Sequence, residues 1–569
     1  MADQGARLTP LGKIISIILI LGVIGVGVYI VLQRSGGGKP GGIFSSQGPE
    51  TEAPDTSGVT TVKEYKYVAA DRLPPVKGVS QYQWDANEKI LHFTYNVWAG
   101  WLPVIAANRG TKPNPESVFA KKYGFRVQMD LMDDPVAARD AFAAGKVHTL
   151  WGTADMIVLM APGLSLDSRT SPRVVQQVDW SNGGDGIVVR SNIKSVADLR
   201  GKSIALAQNS PSQYYLTSLL LSAGISLKDV KPLYTATAFE AAAAFVSNRK
   251  VHGCVSWAPD IYNIPEKVAG TRILSTTKDA NKLIADVYAV RADFIRDHPE
   301  VVEGLVAGIF EGMEMVKNKP EDACKWMADA FAMKPEDVMG MRSDFHSTNF
   351  AENVQFFLNS SNPTNFERTW KSAAYVYREL GSIDAPVPFD QVMDFSFIQA
   401  LQKKGTFANQ KDESVASFTP ASFRQATAEA PILTQTIRIN FFPNSANPYE
   451  PGRDDLGNPV SGKLYDPNVD ATLERVARLA GQFARAVILI EGHADSSMKG
   501  RNVPVDAVVQ LSRERAEAIK RALIDKYKFD PNKFTIQGRG WDAPADPNDP
   551  NNQALNRRVE ISVFPPEQK

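Results

Sequence analysis

From about residue 88 to 402 the chain alternates short apolar segments with amphipathic ones of helical period, and no other feature restricts its possible folds as much. Strands that alternate with helices bury both faces of a largely parallel sheet, which is the α/β pattern. Leu91-His-Phe-Thr-Tyr95 predicts a first strand, and it runs into a loop that carries Trp98 and Trp101. Gly124 to Met129 reads as a strand, Pro135 to Ala144 as a helix, and His148 to Gly152 as a strand ending at Thr153. Ligands of open α/β sheets lie beyond the carboxyl ends of the strands, so these tips are the places to look for a site.

Asp198 to Gln208 reads as a turn and a strand that lead into Asn209-Ser210-Pro211-Ser212, the start of a helix reaching Ala223. Serines at such a start cap the helix, and the free N–H groups there also suit an anion. The blocks Lys202-Ser-Ile-Ala-Leu-Ala207, the serine-rich helix start and Val255-Ser-Trp-Ala-Pro259 together resemble the periplasmic solute-binding proteins of ABC importers. The branch is the one that includes nitrate, taurine, alkanesulfonate and thiamine-precursor binders. The resemblance implies a bilobal type II fold. One lobe comprises about 88–185 and 280–400 and the other about 190–275, with crossovers near Gly186–Arg190 and Leu274–Tyr288. It further implies a small-molecule ligand in the cleft between the lobes, faced by Trp98, Trp101, Thr153, Ser210, Ser212, Trp257 and Asp260. Each has a plainer reading: tryptophans pack cores, serines cap helices, and Trp257 before Pro259 can simply end a strand. Asp185, in Asn182-Gly-Gly-Asp-Gly186, reads as a turn residue. Tryptophans and an aspartate suit a cation as readily as hydroxyls and a helix start suit an anion, so ligand charge stays open.

Toward the other end, Ala486 to Glu491 reads as a buried strand closed by Gly492-His-Ala-Asp495, which places Asp495 on the loop at its end. Leu511, Arg515 and Ile519 fall on one face of a helix from Leu511 to Tyr527. An arginine on a core-facing stripe either snorkels to water or meets an anion such as Asp495 or a ligand carboxylate. These blocks, with Gln537-Gly-Arg-Gly-Trp-Asp542 and Asn556-Arg-Arg558, resemble the OmpA-like peptidoglycan-binding family across about 436–565. The resemblance implies an α+β domain in which Asp495 and Arg515 grip the zwitterionic diaminopimelate of the cell-wall stem peptide, with Arg557 adding a contact. This chain departs from the family in a longer loop between Asp495 and Arg515 and in Val508, where asparagine is frequent.

Ile14 to Leu32 is a run of 19 uncharged, mostly apolar residues, the length that spans a hydrocarbon core of roughly 30 Å as a helix. It is expected to be an uncleaved inner-membrane anchor with residues 1–13 in the cytoplasm and the bulk of the chain in the periplasm. A signal peptide is the rival reading, although the run exceeds an ordinary h-region and no small-x-small site follows. Residues 33–87 are expected to form a linker whose first part is rich in Gly, Pro, Ser and Thr, and residues 403–435 a second tether.

Sixty-three basic residues balance 63 acidic ones, so nothing points to nucleic acid. Two cysteines, Cys254 and Cys324, and six scattered histidines provide no metal-ligand spacing, and no cofactor motif is present. The expected function is therefore binding without chemistry: small-molecule capture, sensing or scaffolding by a protein tethered at the membrane and the wall, with room for a membrane-protein partner. The alternative is a stator-like, force-coupling envelope protein, since ion-driven motor subunits also join one membrane helix to an OmpA-like domain. Such helices carry an ionisable residue, and Ile14–Leu32 has none.

Overall fold

The computed structural model describes residues 58–416, 418, 431–439, 441–442, 444–497 and 499–564. The apolar run 14–32 lies outside them, and among the described residues no helix is long and apolar enough to cross a membrane.

Two α/β lobes and a smaller α+β unit make up the described chain. In the first lobe β1 (Ile90–Tyr95) pairs in parallel with β2 (Arg126–Leu131). Thr94 ties β1 to β3 (Thr149–Thr153) by bonds to the backbone and hydroxyl of Thr149. The chain then follows β4 (Pro172–Ser181) into the second lobe, built from β5 (Asp185–Arg190), β6 (Ser203–Ala207), β7 (Lys231–Thr235), β8 (Gly253–Trp257) and β9 (Thr271–Thr276) in the order β7-β6-β8-β5-β9. It returns through β10 (Ala285–Arg291) and β11 (Phe345–Ser347), which complete the sheet β11-β4-β10-β3. Every position of β10 and nearly every position of β4 is buried, because helices cover both faces and an apolar run is the only sequence that tolerates this.

The chain thus crosses between lobes twice, at Asn182-Gly-Gly184 and at Thr277–Ile284. Gly186–Arg190, expected as a crossover, is instead the body of β5, where it pairs with β8 and β9. The hinge falls earlier because the Gly183-Gly184 pair breaks the strand; at Gly184 any side chain would overlap the indole of Trp98.

The described part of the expected linker, from residue 58, is packed. Tyr67 bridges Thr235, Val68 donates to the Tyr234 carbonyl at 2.8 Å, and Val59 and Tyr65 are buried on the second lobe. Further along, Arg139 donates to the Pro74 carbonyl at 2.7 Å and Arg291 to the Ser80 carbonyl at 2.9 Å on the first lobe. Residues 58–87 are therefore a strap over both lobes. The expected second tether is likewise packed at its start, where Asn349 donates to the Lys411 carbonyl and Gln410 to Glu314.

The C-terminal unit is a sheet β12-β17-β15-β16, from β12 (Leu433–Ile437), β15 (Val487–Gly492), β16 (Phe534–Gly538) and β17 (Val559–Phe564), with the hairpin β13 (Pro451–Arg453) and β14 (Pro459–Leu464) beside it. Helices Val469–Gln482 and Val505–Tyr527 pack on it through Leu473, Val476, Ile519 and Leu523. This unit docks at the crossovers: Arg485 donates to Asn182 Oδ1 at 2.9 Å, and the Lys282 N–H to the Gln482 carbonyl at 3.0 Å.

Candidate functional site

Two candidate sites emerge, one on the C-terminal unit and one between the lobes. In the first, Gly492 of β15 pairs in register with Gly538 of β16. A side chain at either position would overlap the Ser512 or Val509 carbonyl. Two glycines side by side let the helix Val505–Tyr527 lie directly on the strand ends, and Ser512 secures it by accepting the Gly540 N–H at 3.1 Å. That seating puts Arg515 above the loop that leaves β15.

Arg515 is 8% exposed. Its Nε donates to the Ser445 carbonyl at 3.1 Å and its guanidinium lies 5.0 Å from the Phe441 ring. Burial lowers its pKa, opposed by the charge of Asp495. Asp495 accepts from the Ser497 N–H at 2.8 Å and from its hydroxyl, and pairs with Arg557 at 2.9 Å. Burial raises its pKa, but the Ser497 and Arg557 contacts outweigh this and hold the carboxyl below its ordinary range. All three residues singled out in the sequence share one electrostatic neighbourhood. Asp495, however, pairs with Arg557 rather than Arg515, whose two terminal nitrogens bond to no described residue. Such a paired donor fork matches a carboxylate.

The residues expected in the interlobe cleft divide. Trp98 lies at the hinge and donates from Nε1 to Asp179 at 3.3 Å. Thr153 ends β3, buried, and faces Asp286 directly across the ladder. Ser212 is fully buried in the first turn of the helix Pro211–Ser222 with no hydrogen-bond partner among the described residues, and the buried Trp257 Nε1 also has none there. Ser210 sits at the N-cap position, but its hydroxyl donates backward to the Ala207 carbonyl at 2.9 Å instead of capping an N–H. Trp101 belongs to the core: it is 0% exposed, packs on Phe93 and donates to Asn96 at 2.8 Å. Asp260 serves the strap, accepting from the Thr61 N–H at 3.0 Å and hydroxyl at 3.2 Å.

Sequence reasoning missed the carboxylates. Asp179 and Asp286 stand directly opposite each other on β4 and β10, both buried. Asp185, expected in a turn, is the buried first residue of β5 and accepts from the Ser181 hydroxyl at 2.6 Å. Asp155 starts the helix after β3 and accepts from the Tyr377 hydroxyl at 2.8 Å, and Asp344 accepts from Tyr262 at 3.2 Å. Burial raises the pKa of all five: to about 6 for Asp155 and Asp344, to about 7 for Asp179 and Asp185, and well above the ordinary value for Asp286, where the neighbouring Asp179 adds to the shift. The available signal was a lone acid inside an apolar strand, as in Val178-Asp-Trp180 and Ala285-Asp-Val287.

Comparisons with known proteins agree with this division. Residues 173–323 match the NMT1/THI5-like family model and residues 459–558 the OmpA family model. The chain therefore joins a solute-binding-like region to an OmpA region. It is 27% identical over 141 residues to a protein of Brucella abortus named as a binding protein, a match covering 24% of this chain and 44% of that one. It is 24% identical over 227 residues to the taurine-binding periplasmic protein of Escherichia coli, covering 39% of this chain and 65% of the relative. The C-terminal part is 34% identical over 100 residues to the outer membrane protein Omp38 of Acinetobacter baumannii, covering 17% and 26%. The chain spans less than two thirds of the length of each of these relatives. Among solved structures, the aliphatic sulphonate-binding protein of Escherichia coli aligns over 53% of this chain and 96% of its own, with 19% identity and a TM-score of 0.42.

Proposed function

We propose that this protein is an envelope tether that captures a small molecule. In this reading the run 14–32 anchors it in the inner membrane, the OmpA region holds peptidoglycan, and the two lobes close on a ligand in the periplasm without chemical change to it. The observation that carries the wall-binding half is the convergence of Asp495, Arg515 and Arg557, with the terminal nitrogens of Arg515 bonded to no described residue. A zwitterionic stem-peptide residue supplies both partners: its carboxylate to Arg515 by a bidentate pair, its ammonium to Asp495 in exchange for part of the Arg557 contact. The match of the OmpA region to an outer membrane protein supports the same assignment.

Envelope fractionation tests the reading. The full chain is expected both in the inner-membrane fraction and on purified sacculi; deletion of 14–32 abolishes only the first, and Asp495→Ala or Arg515→Ala only the second. Retention of both point variants on sacculi at wild-type levels refutes the wall site. Undiminished membrane recovery of the deletion refutes the anchor. A force-coupling role draws support from the docking of the OmpA region on both crossovers, through Arg485 and Gln482. The absence of an ionisable residue from 14–32 leaves any ion-driven step to a partner.

A further inference from the structure

A site that binds sulfonate or nitrate needs positive charge or free donors, and the buried row between the two crossovers is acidic. Thr153, Asp286, Asp179 and Ser347 form one cross-strand row over β3, β10, β4 and β11. Asp179 and Asp286 are neighbours in that row, a placement of like charges that destabilises a sheet unless something offsets it. Asp185 lies just beyond the first crossover, and Asp155 just beyond Thr153. Among the described residues, none of Asp155, Asp179, Asp185, Asp286 and Asp344 forms an ion pair with a lysine or arginine. His346, the histidine whose field reaches Asp179, is already bonded to Glu352 at 2.6 Å.

A second observation points to a ligand. Several buried polar atoms around the row have no hydrogen-bond partner among the described residues. Thr153 Oγ1, in a residue 3% exposed, lies beside the Asp155 carboxylate without a hydrogen bond of proper geometry. A proton held on Asp286 is shared with Asp179, which leaves Asp179 Oδ1 dependent on that proton, and the indole N–H of Trp257, opposite Asp185 in the ladder, has no partner among the described residues. Buried polar groups are ordinarily satisfied, so a cluster of exceptions at a hinge marks a place where another molecule completes the bonding. No three His, Cys, Asp or Glu side chains among the described residues converge to hold a metal ion.

We infer that the ligand of this cleft is an organic cation, a small ammonium or guanidinium compound whose charged head sits on Asp179 and Asp286, within reach of Asp155 and Asp185 and beside Trp98. The inference rests on the proposal that the cleft binds a solute and specifies its charge. A cation supplies the missing counter-charge and brings N–H donors to the carboxylate oxygens. The indole of Trp98, held by Asp179 and by Gly184, adds an aromatic surface of the kind cations favour.

Small probes that differ in charge decide it. Propylammonium, 1,4-diaminobutane, arginine, taurine and ethanesulfonate are titrated calorimetrically into the detergent-solubilised full chain, with calcium as a further arm. Binding is expected from the amines, with taurine weaker and ethanesulfonate and calcium silent. Asp179→Asn and Asp286→Asn should each weaken amine binding by about thirtyfold or more. Both should also melt at a higher temperature than the wild type without ligand at pH 8, a gain that a merely structural carboxylate does not give. Ethanesulfonate binding as tightly as the amines overturns the charge assignment while leaving a solute-binding cleft. Calcium alone binding overturns it in favour of a metal site. Silence from all probes overturns both this inference and the solute-binding reading, and retention on sacculi is unaffected in every case.

Discussion

Arg515 carries two requirements that conflict, a buried stem and an accessible charge. Its Nε and ring contacts hold the stem against Ser445 and Phe441, and the burial that lowers its pKa costs a guanidinium less than it would cost a more strongly hydrated ammonium. Lysine keeps the charge but offers no planar fork, and an ammonium drawn back to the Ser445 carbonyl is withdrawn from the ligand. Arg515→Lys is therefore expected to reduce retention on sacculi by about tenfold while changing stability by less than ~1 kcal/mol. Retention equal to wild type would mean that a point charge suffices and that the fork has no role. Trp98 and Asp179 form a similar pair at the hinge, an indole N–H on a carboxylate that has no cation. In the proposed site a ligand cation is the partner of that carboxylate.

At the level of elements, the close contact between the helix Val505–Tyr527 and the ends of β15 and β16 is set by backbone, not by side chains. Gly492→Ala places a methyl group into the Ser512 carbonyl, and neither strand nor helix can yield without losing its own hydrogen bonds. The expected cost is about 3 kcal/mol or more, seen as a lower melting transition for the C-terminal unit, together with loss of sacculus binding as Arg515 is displaced. An unshifted transition would contradict the packing. The strand closed by Gly492-His-Ala-Asp495 and the helix face that carries Arg515 were legible in the sequence from an apolar run and a helical period. The strands were legible too: β1, β3 and β6 fall within a residue or a few of their expected positions, since apolar runs bounded by turns leave little choice. The strap was not. Residues 58–87 carry no period, and their order comes from partners far away in sequence, such as Arg139 on Pro74, Arg291 on Ser80 and Asp260 on Thr61. Asp185 was misread for the same reason, because next to two glycines it resembles a turn, and only the pairing of β5 with β8 and β9 shows it buried.

For the molecule as a whole, the hinge concentrates three things: the acidic row, the two crossovers, and the docked OmpA region. Asn182 and Lys282, one on each crossover, are both bonded to that region, so opening of the lobes and seating of the wall-binding unit act on the same segments. The charge at the hinge governs stability against pH. A carboxyl whose pKa is higher in the folded protein than in the unfolded chain holds its proton more tightly when folded. Its contribution is complete below the unfolded value near ~4 and disappears as pH rises through the folded value. For Asp155 and Asp344 that is about 6, and for Asp179 and Asp185 about 7. His148 and His493 act in the opposite direction. Burial lowers both to about 4, so their contribution is complete above ~6.5 and disappears as pH falls through about 4. Five raised carboxyls outnumber two histidines, so the loss prevails above pH ~4.5: the ligand-free protein is expected to melt at its highest temperature near pH ~4.5 and to lose stability from there toward neutral pH. Thermal melts from pH 4.5 to 8.5 read this directly, and Asp179→Asn should flatten the alkaline limb. A melting temperature that is level or rising between pH 6 and 8 in the ligand-free wild type would show that the carboxylates are already neutralised, which removes the energetic reason for a cation in the cleft.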